Sequence, residues 1–404
     1  MTDTKQSSPT HVVVVGGGFA GVKTALELCT NPKVHITLIS DRPDMYYFPT
    51  LYHTATGGAD EESAIPLERI FDGKPVDIKI GRATAVDHEH KVLNVDGHAP
   101  IVYDVIVFAL GVVTNYFNIP GLKEYAYGIK TVPDAERLKR HLHAQLLTGK
   151  PDMNYIVVGG GPTGIELAGA LSFYLREIVK RHGINRRVPH IDLVEAQSTL
   201  MPRLPKRVSK GIARRLRKLG VKLHLNSQVE GASADELFVS GKALRSHTII
   251  WTAGVANNPF FTDNKFDLSP RGKVQVDEFL RPIGRTDIYI IGDNAETPYS
   301  GMAQTAIYDG EFVAHNIQKQ LADEPKLAYR PKEPIYITPV GNNWASVEWG
   351  RWYFDGWTGW MLRGLADLRG FLDIQPLPEA AEQWSRMFDQ EDLCPVCGFS
   401  SAPE

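Results

Sequence analysis

The chain's apolar positions fall into two kinds of run. Short unbroken runs rich in β-branched residues, VVVV at 12–15, YIVV at 155–158 and IYII at 288–291, have the pattern of strands buried on both faces, as in a parallel sheet. VHITLIS at 34–40, IDLVEA at 191–196, VKLHL at 221–225 and HTIIWTAG at 247–254 predict further strands. Between them the spacing turns helical: TVPDAERLKRHLHAQLL with proline near its start, a long run to about Arg181, RVSKGIARRLRKLG with a glycine stop, and MAQTAIYDGEFVAHNIQKQL. Residues 41–63 carry aromatics without a period, and Asp96-Gly97 marks a hairpin turn. Strands alternating with helices predict an α/β fold with parallel sheets.

Two strand-to-helix junctions share one punctuation, Gly16-x-Gly18-x-x-Gly21 after the valines and Gly159-x-Gly161-x-x-Gly164 after YIVV. In such a turn the first glycine permits the tight bend. The second lets backbone approach a pyrophosphate, and the third packs helix on strand. The helix start then offers free N–H groups and a positive dipole end to phosphate. A ribose-gripping carboxylate is expected where the next strand ends. Glu195 closes IDLVEA and favours NADH, since it would repel a 2′-phosphate; in the first unit Ser40 ends the strand and Asp41 follows. Two cradles in one chain imply two different dinucleotides, a flavin and a nicotinamide, placed so that hydride passes between rings. The strand at 288–291 comes after the second unit closes, so the second unit is nested in the first. The outer domain then holds FAD, with Asp293, next to Gly292, toward its ribityl chain.

Length, charge and cysteine count narrow the class. The 404 residues carry a formal net charge of −3 and no basic stripe interleaved with aromatics, which argues against nucleic acid. No apolar run is long enough to span a bilayer, and the polar N-terminus, expected to be disordered over 1–10, has neither a signal core nor a presequence pattern. Three cysteines are too few for a disulfide framework, so a cytoplasmic location is expected.

Several strings in one order, GGGFAG, TLYHTATG, TNYFNIPGL, GGGPTGIELAG, LVEA, WTAGV and IGDNA, resemble the type II NADH dehydrogenases of the two-dinucleotide flavoprotein superfamily. The resemblance implies two Rossmann-like domains, the NADH domain inserted in the FAD domain, plus a C-terminal α+β appendix. It divides the chain into an FAD-binding domain over 11–120 and 261–326, an NADH-binding domain over 121–260, and an appendix over 327–404. It implies a ping-pong, non-pumping enzyme that passes two electrons from NADH through FAD to a quinone. Gly16, Gly18, Phe19, Ala20, Gly21, Asp41, Gly111, Gly292, Asp293, Ala303 and Gln304 would contact FAD. Gly159, Gly161, Pro162, Thr163, Gly164, Glu195 and Gly254 would contact NADH or border the cofactors, and Glu166 would be the catalytic glutamate near the nicotinamide–flavin contact. On residue type alone Glu166 reads first as a helix glutamate of the opening turn stabilised by the dipole. The quinone-side helix departs from the family pattern Ala-Gln-x-Ala-x-Gln. Gln304 is retained, but Tyr308 stands where the second glutamine belongs. A non-quinone acceptor and a non-catalytic dinucleotide sensor are the alternatives.

Relatives that use a dithiol or carry sulfur need cysteines beside the flavin, and only Cys29 lies in the two cofactor domains. Cys394 and Cys397 form a lone CxxC, better read as a thiol pair without a catalytic role than as a zinc site. Six of the seven tryptophans lie between Trp344 and Trp384, in a segment read as a strand pair and then a helix. In that helix Met361, Leu365, Leu368 and Leu372 make one apolar stripe, expected to face a membrane surface at the cytoplasmic face, the protein itself or a second copy of the chain in a homodimer.

Overall fold

The computed structural model describes residues 8–147, 154–181, 183 and 189–387. Most of the N-terminal stretch expected to be disordered, and Cys394 with Cys397, lie outside the described residues.

The chain begins with β1 (Thr10–Val15), α1 (Phe19–Leu28), β2 (Val34–Ser40), a short helix α2 (Leu51–Thr54), β3 (Val76–Ile80) and β4 (Val105–Phe108). It then builds β5 (Ala126–Tyr127), α3 (Val132–Leu147), β6 (Asn154–Val158), α4 (Pro162–Arg181), β7 (His190–Val194), α5 (Lys206–Lys218), β8 (Val221–His224) and β9 (Thr248–Trp251). Only afterwards comes β10 (Ile288–Ile290), followed by α6 (Ala303–Leu321). The first sheet has strand order β10-β4-β1-β2-β3 and the second β5-β9-β6-β7-β8, all neighbours parallel. β10 thus closes the first sheet after the whole second sheet has been laid down, which is the nested α/β arrangement read from the sequence. Val12 to Val15 are fully buried because Val12 and Val14 pack under α1 and α6 while Val13 and Val15 pack against Ala83, Leu93, Val95 and Ile101 of a small antiparallel sheet, and each such side chain contributes roughly 1.5–3 kcal/mol. The Asp96-Gly97 turn joins two antiparallel strands, Val92–Val95 and Ile101–Val102.

The appendix is a three-stranded antiparallel sheet, β11 (Tyr336–Pro339), β12 (Ala345–Trp349) and β13 (Trp352–Phe354), followed by α7 (Trp357–Leu372) and α8 (Leu377–Arg386). Helix α7 is inverted relative to a soluble amphipathic helix. It buries Gly359, Arg363, Asp367 and Phe371. It exposes Trp357, Met361, Leu365 and Leu372, and Leu377 continues the patch. Of the stripe read from the sequence, Leu368 alone is half-buried. Among the described residues no helix is long and apolar enough to cross a membrane.

Candidate functional site

The two glycine turns repeat the same backbone bonds. Gly16 N–H donates to Ile39 C=O and Gly159 N–H to Val194 C=O, both at 2.8 Å. Both residues are left-handed, at φ +124° and +121°. A Cβ on Gly16 would lie 2.1 Å from the Ala109 carbonyl oxygen. One on Gly21 would lie 1.9 Å from Gly16 O, and one on Gly164 2.0 Å from Gly159 O. At Gly18 and Gly161 there is nothing within 4 Å. The middle glycine of each turn therefore faces open space at a helix start, with Phe19 and Ala20 opening α1 and Pro162 and Thr163 opening α4. Bare backbone beside free first-turn amides fits a pyrophosphate in both places.

The register Val15↔Ile39 and Val158↔Val194 makes Ser40 and Glu195 equivalent. Glu195 accepts N–H bonds from Gly160 (2.6 Å) and Gln197 (2.7 Å), which hold its carboxylate over the second turn. Ser40 Oγ donates to Arg42 C=O at 2.7 Å, while Asp41 is turned outward and pairs with the Arg42 guanidinium at 2.9 and 3.0 Å. A hydroxyl thus occupies the strand-end slot of the first cradle.

Gly292 begins the turn that carries Asp293 beside the first cradle; a Cβ there would stand 3.3 Å from Ala20 Cβ. Asn294 fixes this turn by accepting Gly111 N–H and donating to Gly111 C=O and Asn257 Oδ1. Lys130 and Lys273 face Asp293; burial lowers both ammonium groups, and Asp293 pulls them back up. Asp309, on α6, accepts Gly292 N–H at 3.0 Å and the Tyr329 hydroxyl at 2.6 Å, and burial raises its carboxyl to about 7. After β9, Gly254 leaves room for Phe117 and Asn115, whose nearest atoms would be 2.5 and 2.6 Å from a Cβ.

Glu166 lies two residues past Gly164, under the second cradle. Burial raises its carboxyl to about 8, against the pull of Arg363. Arg363 Nη1 is 3.6 Å from Glu166, its Nε donates to Asp367 at 2.5 Å, and its Nη2 donates to Pro49 C=O at 3.0 Å. The Tyr47 hydroxyl reaches Asp367, and Tyr52 is buried beside the cluster with its phenol pushed up. A charge cluster of this kind is tolerated in the interior only because each member is paired. It explains why α7 is inverted: its polar face is the one that meets the cofactor domains.

A cavity of about 660 Å³ opens against the same cluster, lined among others by Tyr52, His53, Tyr174, Trp360, Met361 and Arg363. Arg363 is shared, touching Glu166 on one side and lining the cavity on the other. Gln304 and Tyr308 lie one turn apart near the start of α6 but do not line that cavity. The Gln304 amide exchanges two bonds with the Ile335 backbone, at 3.0 and 3.1 Å. Tyr308 donates to Arg330 C=O at 3.1 Å, with Lys332 above its ring. Lys130, Lys273, Asp309, Arg363 and Asp367 carry no sequence signal, because each acquires its neighbours from a distant element. Asn294 stands inside the IGDNA string, but its bonds to Gly111 and Asn257 come from distant segments. Among the described residues no group of three or more His, Cys, Asp or Glu side chains is placed to hold a metal.

Comparison with known proteins follows the same lines. A curated type II NADH:quinone oxidoreductase of Staphylococcus saprophyticus is 27% identical over 84% of this chain and 90% of its own length. That of Mycobacterium tuberculosis is 28% identical over 89% of this chain and 85% of its own length. Among solved structures, NDH2 of Plasmodium falciparum in complex with NADH aligns with TM-score 0.84 and 18% identity over 94% of this chain and 97% of that one. The sulfide:quinone oxidoreductase of Aquifex aeolicus aligns with TM-score 0.76 and 20% identity over 93% and 92%. Residues 10–310 match the family described as pyridine nucleotide-disulphide oxidoreductase, and Cys29, the buried C-cap of α1, is the one cysteine in that span. With both dinucleotide cradles inside the matched region, the chain belongs to the pyridine nucleotide-disulphide oxidoreductase family.

Proposed function

We propose that the chain is an FAD-dependent NADH:quinone oxidoreductase working by a ping-pong cycle without proton pumping. The observation that carries the reading is the pair of glycine cradles with different strand-end groups, set beside a buried Glu166–Arg363 pair that touches a large cavity. The relatives of similar length named for this activity support it.

In this reading residues 11–120 and 261–326 hold FAD, 121–260 hold NADH, and 327–404 form the acceptor-side appendix. Gly16, Gly18, Phe19, Ala20 and Gly21 take the FAD pyrophosphate, Ser40 and Asp41 border its adenosine ribose, and Gly111, Gly292, Asp293, Ala303 and Gln304 border the ribityl and ring end. Gly159, Gly161, Pro162, Thr163 and Gly164 take the NADH pyrophosphate, Glu195 grips its ribose hydroxyls, and Gly254 lets the nicotinamide end approach. Bound FAD supplies a hydride acceptor that can release two electrons onward. Glu166, neutral at pH 7 with its carboxyl near 8, places a proton rather than a negative charge near the ring contact. Arg363 fixes the orientation of that carboxyl.

The quinone enters through the cavity, whose Met361 and Leu365 belong to the exposed face of α7. That face, with Trp357, Leu372 and Leu377, docks on the cytoplasmic side of the membrane and opens the cavity toward the lipid. Tryptophans suit a water–lipid interface, which favours the bilayer over a second copy of the chain as the covering surface. Gln304 and Tyr308 act as a clamp on residues 330–335 at the acceptor side. The test is steady-state NADH oxidation on lipid vesicles with a quinone. Parallel double-reciprocal lines and one quinone reduced per NADH are expected. Turnover with oxygen or a soluble protein acceptor that exceeds turnover with quinone would replace the quinone reading.

A further inference from the structure

Reduction of a quinone by NADH consumes one proton beyond the hydride: NADH + quinone + H⁺ gives NAD⁺ + quinol. The hydride carries both electrons and one hydrogen. The second oxygen can become a hydroxyl only if a proton arrives from the protein or from water. Glu166 holds a proton, but it stands behind Arg363 rather than on the cavity wall. The wall itself carries a second acid–base group.

His53, in α2, lines the cavity. Its Nδ1 is 2.7 Å from Oε2 of Glu62, whose side chain is wholly buried, while the imidazole is one-quarter exposed. The other Glu62 oxygen accepts the Ala59 N–H at 3.2 Å, which fixes the carboxylate. Among the described residues Nε2 has no protein partner. A buried carboxylate on Nδ1 sets the tautomer and the orientation of the ring, leaving Nε2 as the working atom. The backbone makes room for this pair. A Cβ on Gly58 would lie 2.5 Å from His53 Nδ1 and 3.0 Å from both Glu62 oxygens. At Gly57, where φ is +103°, a Cβ would press on Tyr174 at 2.8 Å. Two adjacent glycines thus let the loop fold back over the pair.

We propose that His53, oriented by Glu62, is the catalytic acid that delivers the second proton to the acceptor in the cavity. In the step the His53 Nε2–H bond breaks and an O–H bond forms on the acceptor oxygen left as an anion after hydride-equivalent reduction. The neutral imidazole then recovers its proton from solvent at the cavity mouth. The titratable and charged groups that line the cavity with His53 are Tyr52 on α2, Lys139 and His143 on α3, Tyr174, Glu177 and Arg181 on α4, and Arg363 and Asp367 on α7; Glu62 holds Nδ1 and Glu136 pairs with Lys139. This inference rests on the quinone reading, and the experiments separate the two.

The first experiment uses the oxidised holoenzyme without NADH and equilibrium dialysis with 2-hydroxy-1,4-naphthoquinone, an anion at neutral pH. The wild type is expected to bind it about tenfold more tightly than His53→Gln, which lacks the charge-assisted donor at Nε2, while His143→Gln binds as the wild type does. Equal affinity of wild type and His53→Gln, or loss in His143→Gln instead, overturns the assignment whatever acceptor the enzyme uses. The second experiment compares acceptors on the holoenzyme. His53→Gln should lower quinone kcat on the order of 100-fold. It should leave anaerobic reduction by NADH and turnover with ferricyanide, which takes electrons without protons, within twofold of wild type. Glu62→Gln should lower quinone kcat in the same direction as His53→Gln while leaving ferricyanide turnover within twofold of wild type. Equal losses on quinone and ferricyanide would mark a purely structural role and overturn the proposal. Ferricyanide turnover without quinone turnover in the wild type would remove the quinone reading instead.

Discussion

The two cradles differ where their backbones do not. Each has a left-handed first glycine, an open second glycine and a third that touches the first, because a strand followed by a helix over a phosphate leaves no other geometry. The side chains at matching places have diverged. The strand end carries Ser40 in one and Glu195 in the other. Two residues past the third glycine stand Lys23 and Glu166, both largely buried but with opposite surroundings. Lys23 lies between Glu27 (2.8 Å) and Glu311 (3.2 Å), and those carboxylates raise its ammonium above the usual range despite burial. Glu166 has a single cation, Arg363 at 3.6 Å, which is itself shared with Asp367, and burial raises its carboxyl to about 8. The backbone specifies that a dinucleotide binds. In the proposed reading, the buried charge below the helix start separates a structural cradle from a reactive one.

The comparison is broken most severely at the first glycines. Gly16→Ala forces a Cβ into the Ala109 carbonyl and a side chain into left-handed backbone, a strain of roughly 1–3 kcal/mol before the overlap is counted. The variant is expected to emerge without FAD, as measured by absorbance per polypeptide. Gly18→Ala meets no neighbouring atom, so it should fold with a wild-type far-UV circular dichroism spectrum yet hold FAD at least tenfold more weakly.

Glu166→Gln sharpens the functional contrast. The wild-type carboxyl rises from its unfolded value near 4.5 to about 8, so the folded state binds this proton more tightly. Its contribution to stability is fully present below about 4.5, declines as pH rises, and is gone above about 8. Glutamine does not ionise, so thermal melts should favour Glu166→Gln over wild type increasingly from pH 5 to pH 8. The pH dependence of flavin reduction by NADH near pH 8 should vanish in the variant.

Exchanging the strand ends has a smaller effect. Glu195→Ser loses a carboxylate that bonds two amides and, in our reading, two ribose hydroxyls. The Michaelis constant for NADH should rise by about 10- to 100-fold, corresponding to about 1–3 kcal/mol, and the preference over NADPH should narrow. Ser40→Glu should change FAD retention less than threefold. The smallest effect on chemistry is expected from Leu365→Gln on the exposed face of α7. It should weaken vesicle binding in a flotation assay while leaving ferricyanide turnover unchanged.

Much of this was legible in the sequence for a local reason. The valine run, the glycine spacing and the terminal acid of IDLVEA lie within one strand–turn–helix unit, so short-range pattern suffices to read them. The nesting was legible because IYIIGDNA repeats the buried-strand pattern far from its sheet. The polarity of α7 was not. Met361, Leu365 and Leu372 form the stripe expected to be hidden in a soluble protein, yet Arg363 and Asp367 are the buried residues because Glu166, Pro49 and Tyr47 meet them. Those partners lie about 200 to 320 positions earlier in the chain. Asp41 was the nearest acid by position, but the register puts Ser40 in the equivalent slot and Arg42 claims the carboxylate.

The central claim is that the two cradles take two different nucleotides and that reducing equivalents pass between them. The most direct measurement is the absorption spectrum of the dialysed protein, followed anaerobically by addition of NADH in equal amount. The account predicts one FAD per chain retained through dialysis, bleached by one equivalent of NADH, with Glu195→Ser slowing the bleaching but retaining the FAD. A colourless protein that does not take up FAD on reconstitution, or a bound flavin that NADH leaves oxidised, would contradict it.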